Sequence, residues 1–270
     1  MRLVVKLAGA LLESEETVQV IARQVAQLAQ SGHEVLLVHG GGKILTATLA
    51  RMGISSRFVD GLRLTDRETR DVAVMVLGGL LNKRIVAALT QAGQPAVGLT
   101  GSDANCFQAE PVSHEGAAGK LGFVGYLVGV NLPFLESLWR AGVVPVASCL
   151  GAGPGAEIYN VNADHMAAAC ADYCRAEALI YLTDVPGVLD GEAVLPSISP
   201  AEFEALTRQE KIAGGMVLKL EACMRALHRG VALVHIVGGA IEGSLLASLN
   251  GSALGTRVRR PAETVTEVCA

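Results

Sequence analysis

Lys6 closes the strand-like run Leu3-Val4-Val5-Lys6-Leu7 and is followed by Ala8 and Gly9, small residues whose turn amides would point at the same anion as the ammonium group. Taken alone, the segment reads more readily as a surface lysine beside a turn. A second glycine turn ends the next apolar run, Val38-His39-Gly40-Gly41-Gly42. Three glycines let the backbone approach a phosphate closely, and the helix behind them offers its partly positive end. The Gly-x-x-x-x-Gly-Lys-Ser/Thr spacing of a P-loop is absent. No Gly-x-Gly-x-x-Gly follows the first strand with an acidic residue about 20 positions on, which sets aside a dinucleotide-dependent oxidoreductase.

Further along, Gly61-Leu62-Arg63-Leu64-Thr65-Asp66 places an arginine just ahead of a helix start. Its planar fork either grips a carboxylate with two hydrogen bonds or pairs at the surface with Asp60 or Asp66. Tyr159-Asn160-Val161-Asn162-Ala163-Asp164 opens an alanine-rich helix with Asn162 placed to cap it. Asp164 would serve the helix dipole or, among several lysines, hold their ammonium groups in the arrangement that phosphoryl transfer requires. Thr183-Asp184-Val185-Pro186-Gly187-Val188 reads as a strand end and turn, and Gly214-Gly215-Met216-Val217-Leu218-Lys219 as a glycine pair before a helix that carries a lysine. Both suit a nucleotide pocket, although a plain turn aspartate and a solvated helix lysine explain each by itself.

Side chains so far apart in sequence need a scaffold. Val35-Leu36-Leu37-Val38, Val143-Val144-Pro145-Val146 and Leu179-Ile180-Tyr181-Leu182 read as buried strands alternating with segments of helical period, which predicts a parallel sheet. Between Ser14 and Gly32, Val18, Ile21, Val25 and Leu28 recur at spacings of three and four, with Glu15 and Glu16 favouring a helix dipole. Thr65-Asp66-Arg67-Glu68 has the capping-box form and predicts a long helix from close to Thr65 to the breaker Gly93. Glycine-punctuated residues 102–130 predict hairpins that form a flap beside the main sheet. Residues 151–155 suggest a soft lobe boundary, with an acceptor-binding lobe over 1–155, a nucleotide-binding lobe over 156–270, and one continuous sheet through both.

The chain has 270 residues, of which 51% are hydrophobic, and a formal charge of -4. That size suits one large α/β unit, and the acidic balance gives no broad attraction for nucleic acid or anionic membranes. The first strand begins at Leu3, so no targeting peptide is expected, and no run of about 18 apolar residues is free of charges and breakers. The six cysteines form no Cys-x-x-Cys pair, which favours reduced thiols and a cytoplasmic setting. Cys170 and Cys174 share a helix face near His165, but small buried apolar residues explain them better than a metal site.

In this order the segments resemble the amino acid kinase family over residues 3–258. The resemblance is carried by Lys6 to Gly9, His39 to Gly42, Gly61 to Asp66, Val97-Gly98-Leu99-Thr100-Gly101, Gly122-Phe123-Val124-Gly125, Tyr159 to Asp164, Thr183 to Leu189 and Gly214 to Lys219. It implies an open three-layer αβα sandwich with a mainly parallel central sheet, of the carbamate kinase-like kind, usually a homodimer. The branch that phosphorylates the γ-carboxylate of N-acetyl-L-glutamate with ATP, a step of arginine biosynthesis, fits best. A kinase for carrier-linked aminoadipate and a noncatalytic amino acid or nucleotide sensor are the alternatives.

The resemblance also implies roles. Lys6 and Lys219 stabilise the transferring phosphoryl group, Asp164 organises the two lysines, and Gly9 and Gly41 lend amides to phosphate oxygens. Gly41, Gly42, Arg63 and Asn160 hold the acceptor. Asp184, Val185, Pro186, Gly187, Val188 and Leu189, with Lys211, Ile212 and Ala213, line the nucleotide, and Mg2+ is held through the nucleotide phosphates with no protein metal site. The chain departs from the family pattern at Ala8, where a glycine is usual, at Lys43, where proline is common, and at Ser102, where a lysine often stands. Lacking a helix ahead of the first strand, and an arginine after Gly238-Gly239-Ala240, it is expected to show no arginine feedback and to form a dimer rather than a hexameric ring.

Overall fold

A computed structural model describes residues 1–112, 121–212, 214–251 and 254–260. The centre is an eight-stranded sheet in the order Ser197–Ile198, Thr256–Val258, Leu233–Gly238, Ala178–Thr183, Arg2–Leu7, Glu34–His39, Val144–Ser148, Ala96–Leu99. Every neighbouring pair is parallel except Leu233–Gly238 with Thr256–Val258. The central strands are almost wholly buried, as a parallel sheet covered on both faces requires. The chain is thus the open αβα sandwich with a mainly parallel sheet that its alternating pattern predicts. Leu7 pairs with both Leu182 and His39, so the carboxyl ends of three strands lie side by side, the edge at which ligands of open α/β sheets bind.

The helix Glu15–Gln30 forms as its period predicts, with Ser14 Oγ accepting from the Thr17 amide. Helical structure runs on from Arg67 to Gln91, but the capping expectation needs correction: Asp66, not Thr65, is the cap, its carboxylate accepting from the Thr69 amide at 2.8 Å. The Thr65 hydroxyl is buried and committed to the carbonyl of Arg63. By length and mean hydropathy this helix could cross a membrane, yet half of that window is buried within the fold. Its middle, Val74–Leu81, widens into a π-helix. There Gly78 approaches Thr100 and Leu150, and Leu77 and Leu81 press on the glycine turn at Gly41.

Residues 102–130 do contain an antiparallel pair, Phe107–Pro111 with Val124–Val130, and its tip at 113–120 lies outside the described residues. The pair closes a small barrel with Leu150–Ala152 and Ile158–Val161. Residues 151 and 152 lie on a strand of this barrel and 153–155 in the turn that leads to the next one, and a Cβ on Gly151 would lie 2.5 Å from that of Ala109. Close strand approach therefore accounts for that glycine.

Candidate active site

Lys6, Asp164 and Lys219, far apart in sequence, come together. Lys6, one residue from the end of its strand, places Nζ 2.7 Å from Oδ1 of Asp164, and Lys219 places its Nζ 2.7 Å from the same oxygen. Asp164 owes its position to the helix Ala163–Tyr173, where Asn162 Oδ1 accepts from the amides of Asp164 and His165. Lys219 is carried by the helix Gly215–His228, which the chain enters through Gly214 at φ 57°, ψ -131°, a conformation reserved for glycine. Burial pushes the Asp164 carboxyl up, but the two ammonium groups outweigh it and hold it at about 2. Lys6 is lowered, by burial first and by the Lys219 charge second, against the pull of Asp164.

Beside this trio lies a cavity of about 220 Å3, lined among others by Lys6, Gly9, Gly41, Arg63, Asn160 and Asp164. The two glycine turns meet here: a Cβ on Gly9 would sit 3.1 Å from Gly41 Cα, and one on Gly41, at φ 153°, would sit 2.2 Å from a methyl of Leu81. Among the described residues the Gly41 N–H has no acceptor in the fold. His39 supports this turn from below. One ring nitrogen bonds Gly40 O and the other meets the Asn82 amide, and burial lowers its pKa to about 4, so the ring is neutral.

Arg63 is buried at 7% exposure rather than lying at the surface as one reading of its sequence context has it. Its guanidinium donates to Ser56 Oγ at 2.6 Å, Gly42 O at 3.0 Å and Thr46 Oγ1 at 2.8 Å, and lies 4.6 Å from the centre of the Phe58 ring. All of these partners are neutral, and burial lowers its pKa. A buried guanidinium whose hydrogen-bond partners among the described residues are all neutral, at a cavity wall, is chemically suited to an anion. Asn160 Nδ2 donates to Thr65 Oγ1, which ties the barrel to the segment that follows the short strand Leu62–Arg63.

The sequence profile of the amino acid kinase family matches residues 1–238. The chain belongs to the amino acid kinase family. It is 47% identical over 263 residues to the acetylglutamate kinase of Koribacter versatilis, covering 96% of this chain and 98% of that protein. It is 43% identical to that of Solibacter usitatus, covering 96% and 99%. Among solved structures, N-acetylglutamate synthase from Neisseria gonorrhoeae, complexed with coenzyme A and N-acetyl-glutamate, superposes at a TM-score of 0.85 with 27% identity. The match takes in 97% of this chain but spans only 60% of the synthase chain. Carbamate kinase from Giardia, 16% identical with a TM-score of 0.69 over 96% of this chain and 99% of its own, shares the fold.

Within this amino acid kinase the proposed nucleotide residues lie apart from the cavity. Asp184 is exposed and accepts from Thr183 Oγ1, Val185 and Pro186 follow it, and Leu189 starts a short hairpin. Gly187 and Val188 are buried against Thr256, whose hydroxyl takes the Val188 amide. Lys211 pairs with Asp190 at 2.8 Å, Ile212 is buried, and Ala213 lies outside the described residues. Of the departures from the family pattern, Ala8 adopts φ -67°, ψ 141°, which any residue tolerates, and Lys43 reaches Glu13 at 3.5 Å. Sequence reasoning missed Ser56, Thr46 and Phe58 around Arg63, and also Tyr181. A tyrosine in an otherwise apolar buried strand is a signal, since its hydroxyl must find a partner.

Proposed function

We propose that this chain is an acetylglutamate kinase that transfers the γ-phosphoryl group of ATP to the γ-carboxylate of N-acetyl-L-glutamate, a step of arginine biosynthesis. The observation that carries the reading is the pair of buried lysines on one carboxylate oxygen, next to a cavity walled by an arginine that donates to neutral groups among the described residues. The acetylglutamate kinases named above, similar to this chain over nearly their whole length, support the choice of acceptor.

On this reading Arg63 grips the acceptor carboxylate that does not react, with Asn160, Gly41 and Gly42 around the acetylated amino group. A γ-carboxylate oxygen attacks the γ-phosphorus as the bond to the β,γ-bridging oxygen breaks, giving N-acetyl-L-glutamyl 5-phosphate and ADP without a proton transfer. Charge spreads over the oxygens of the group in flight, and preorganised donors there lower the barrier most. Lys6 and Lys219 supply it, with the amides of Gly9 and Gly41. Magnesium arrives on the phosphates of the nucleotide, which docks against residues 184–189 and 211–213. On this reading the acceptor sits mainly on 1–155, with Asn160 reaching it from 156–270, and the nucleotide mainly on 156–270. The protein is proposed to work in the cytoplasm, in keeping with five buried free cysteines among the described residues, and as a homodimer, for which Met75, 61% exposed on the long helix, offers apolar surface.

An ADP-release assay with MgATP and N-acetyl-L-glutamate, free glutamate, N-acetyl-aminoadipate or aspartate, with hydroxylamine to trap acyl phosphate, tests the reading. Turnover with N-acetyl-L-glutamate and a trapped hydroxamate is expected. Turnover confined to another acceptor would overturn the substrate, and folded protein inert towards all four would overturn the activity.

A further inference from the structure

Lys6 faces Tyr181 across the parallel ladder, so the two side chains leave the sheet on the same side. Tyr181 is fully buried. Its hydroxyl donates to the main-chain carbonyl of Asp164 at 3.0 Å, and the Lys219 Nζ lies 5.0 Å from the centre of its ring. One side chain thus adjoins all three members of the charged trio: Lys6 through the strand, Asp164 through the helix backbone, Lys219 through the π face.

We infer that Tyr181 is a positioning residue for phosphoryl transfer, its ring seating the Lys219 ammonium and its hydroxyl fixing the first turn of the helix that presents Asp164. The inference rests on the kinase reading above. A leucine would fill a buried strand position of this kind but would offer neither contact. Asp164 Oδ1 accepts one hydrogen bond from the Lys219 ammonium and the ring attracts that ammonium from another side, so the cation is held by two fixed groups with a donor left over for a ligand. The hydroxyl bond matters differently. It ties the opening turn of Ala163–Tyr173 to the strand beside Arg2–Leu7, and so sets the distance from the Asp164 carboxylate to Lys6.

The test compares Tyr181→Phe, which keeps the ring, with Tyr181→Leu, which removes it, each alone and together with Lys219→Ala. A desolvated cation–ring contact predicts that Tyr181→Leu lowers kcat about 30-fold, with KM for MgATP and for acceptor changed by less than about twofold. Tyr181→Phe, losing only a hydrogen bond to a carbonyl, lowers kcat about fivefold. The phenylalanine-to-leucine ratio vanishes when Lys219 is alanine, because the ring then has no cation to seat. A purely structural role would lower kcat by the same factor with and without Lys219. That result, or a leucine variant within threefold of wild type, overturns the inference. Should the leucine variant not fold, Tyr181→Met, similar in length but without a π face, takes its place with the same expectations. Wild-type protein that turns over no acceptor would overturn the kinase reading itself, whereas an active wild type matched by its leucine variant overturns the role of Tyr181 alone.

Discussion

Replacing Asp164 by asparagine removes the charge that two buried ammonium groups share while changing the volume of the side chain very little. Each Nζ lies 2.7 Å from the same oxygen, so the two nitrogens stand at most twice that distance apart. At an effective dielectric of about 20, two unit charges at that separation repel by about 3 kcal/mol, which corresponds to roughly two orders of magnitude in rate if the lysines must hold this geometry in the transition state. An asparagine oxygen still accepts one hydrogen bond, so one lysine stays in place and the other moves away or loses its proton. The expected outcome in the ADP-release assay is a kcat about 100-fold lower, with KM for N-acetyl-L-glutamate nearly unchanged because Arg63 is untouched. A kcat within about fivefold of wild type, or a loss appearing wholly as a raised acceptor KM, would refute the claim that Asp164 organises the lysines.

Arg63→Lys keeps the charge but loses the fork, and is expected to raise KM for the acceptor by about ten- to 100-fold while kcat changes far less, as steady-state kinetics would reveal. Gly41→Ala sets a Cβ at φ 153° against Leu81, 2.2 Å from its methyl. It should destabilise the fold by about 1 to 3 kcal/mol and lower kcat/KM at least tenfold, as thermal melts and the same assay would show. His39 is neutral in the fold with its pKa held at about 4, below the 6.5 of an exposed imidazole. Its contribution to stability is therefore complete above pH 6.5 and is lost as pH falls towards 4, to a limit of about 3 kcal/mol. Urea midpoints at pH 7, 5 and 4 should fall accordingly, and His39→Gln should flatten that fall.

The ends of elements were more legible in the sequence than the contacts between them. Lys6, Asn162 and Gly214 can be placed at a strand end, a cap and a helix entry because local rules act over a few residues. That Lys6 and Lys219 converge on one oxygen depends on the register of the strands Arg2–Leu7 and Ala178–Thr183 and on the packing of two distant helices, which no local pattern encodes. Thr65 shows the limit well. Its sequence context matches a capping box, yet the neighbouring aspartate takes the cap and the threonine hydroxyl turns to the carbonyl of Arg63. For Arg63 the neighbouring aspartates suggest a surface pair as readily as a ligand, and only the fold shows that the guanidinium is buried against Ser56, Gly42 and Thr46.

The two kinds of cation in the site are prepared in opposite ways, and the difference follows what each would meet on the proposed reading. Among the described residues Arg63 is buried against neutral dipoles, an arrangement that costs stability in the empty protein and that, on the proposed reading, the acceptor carboxylate relieves. The lysines are buried around a carboxylate of their own, so the empty trio carries a single net positive charge and its geometry exists before any ligand arrives. A permanent anion such as the acceptor carboxylate can be present throughout and favours a site that waits uncompensated. Charge that spreads over the phosphoryl oxygens only during transfer favours donors whose positions are fixed beforehand, since reorganising them at that moment would add to the barrier. On the proposed reading Asp164 supplies that fixing without entering the reaction, and for this reason its replacement should lower turnover while leaving binding of the acceptor intact.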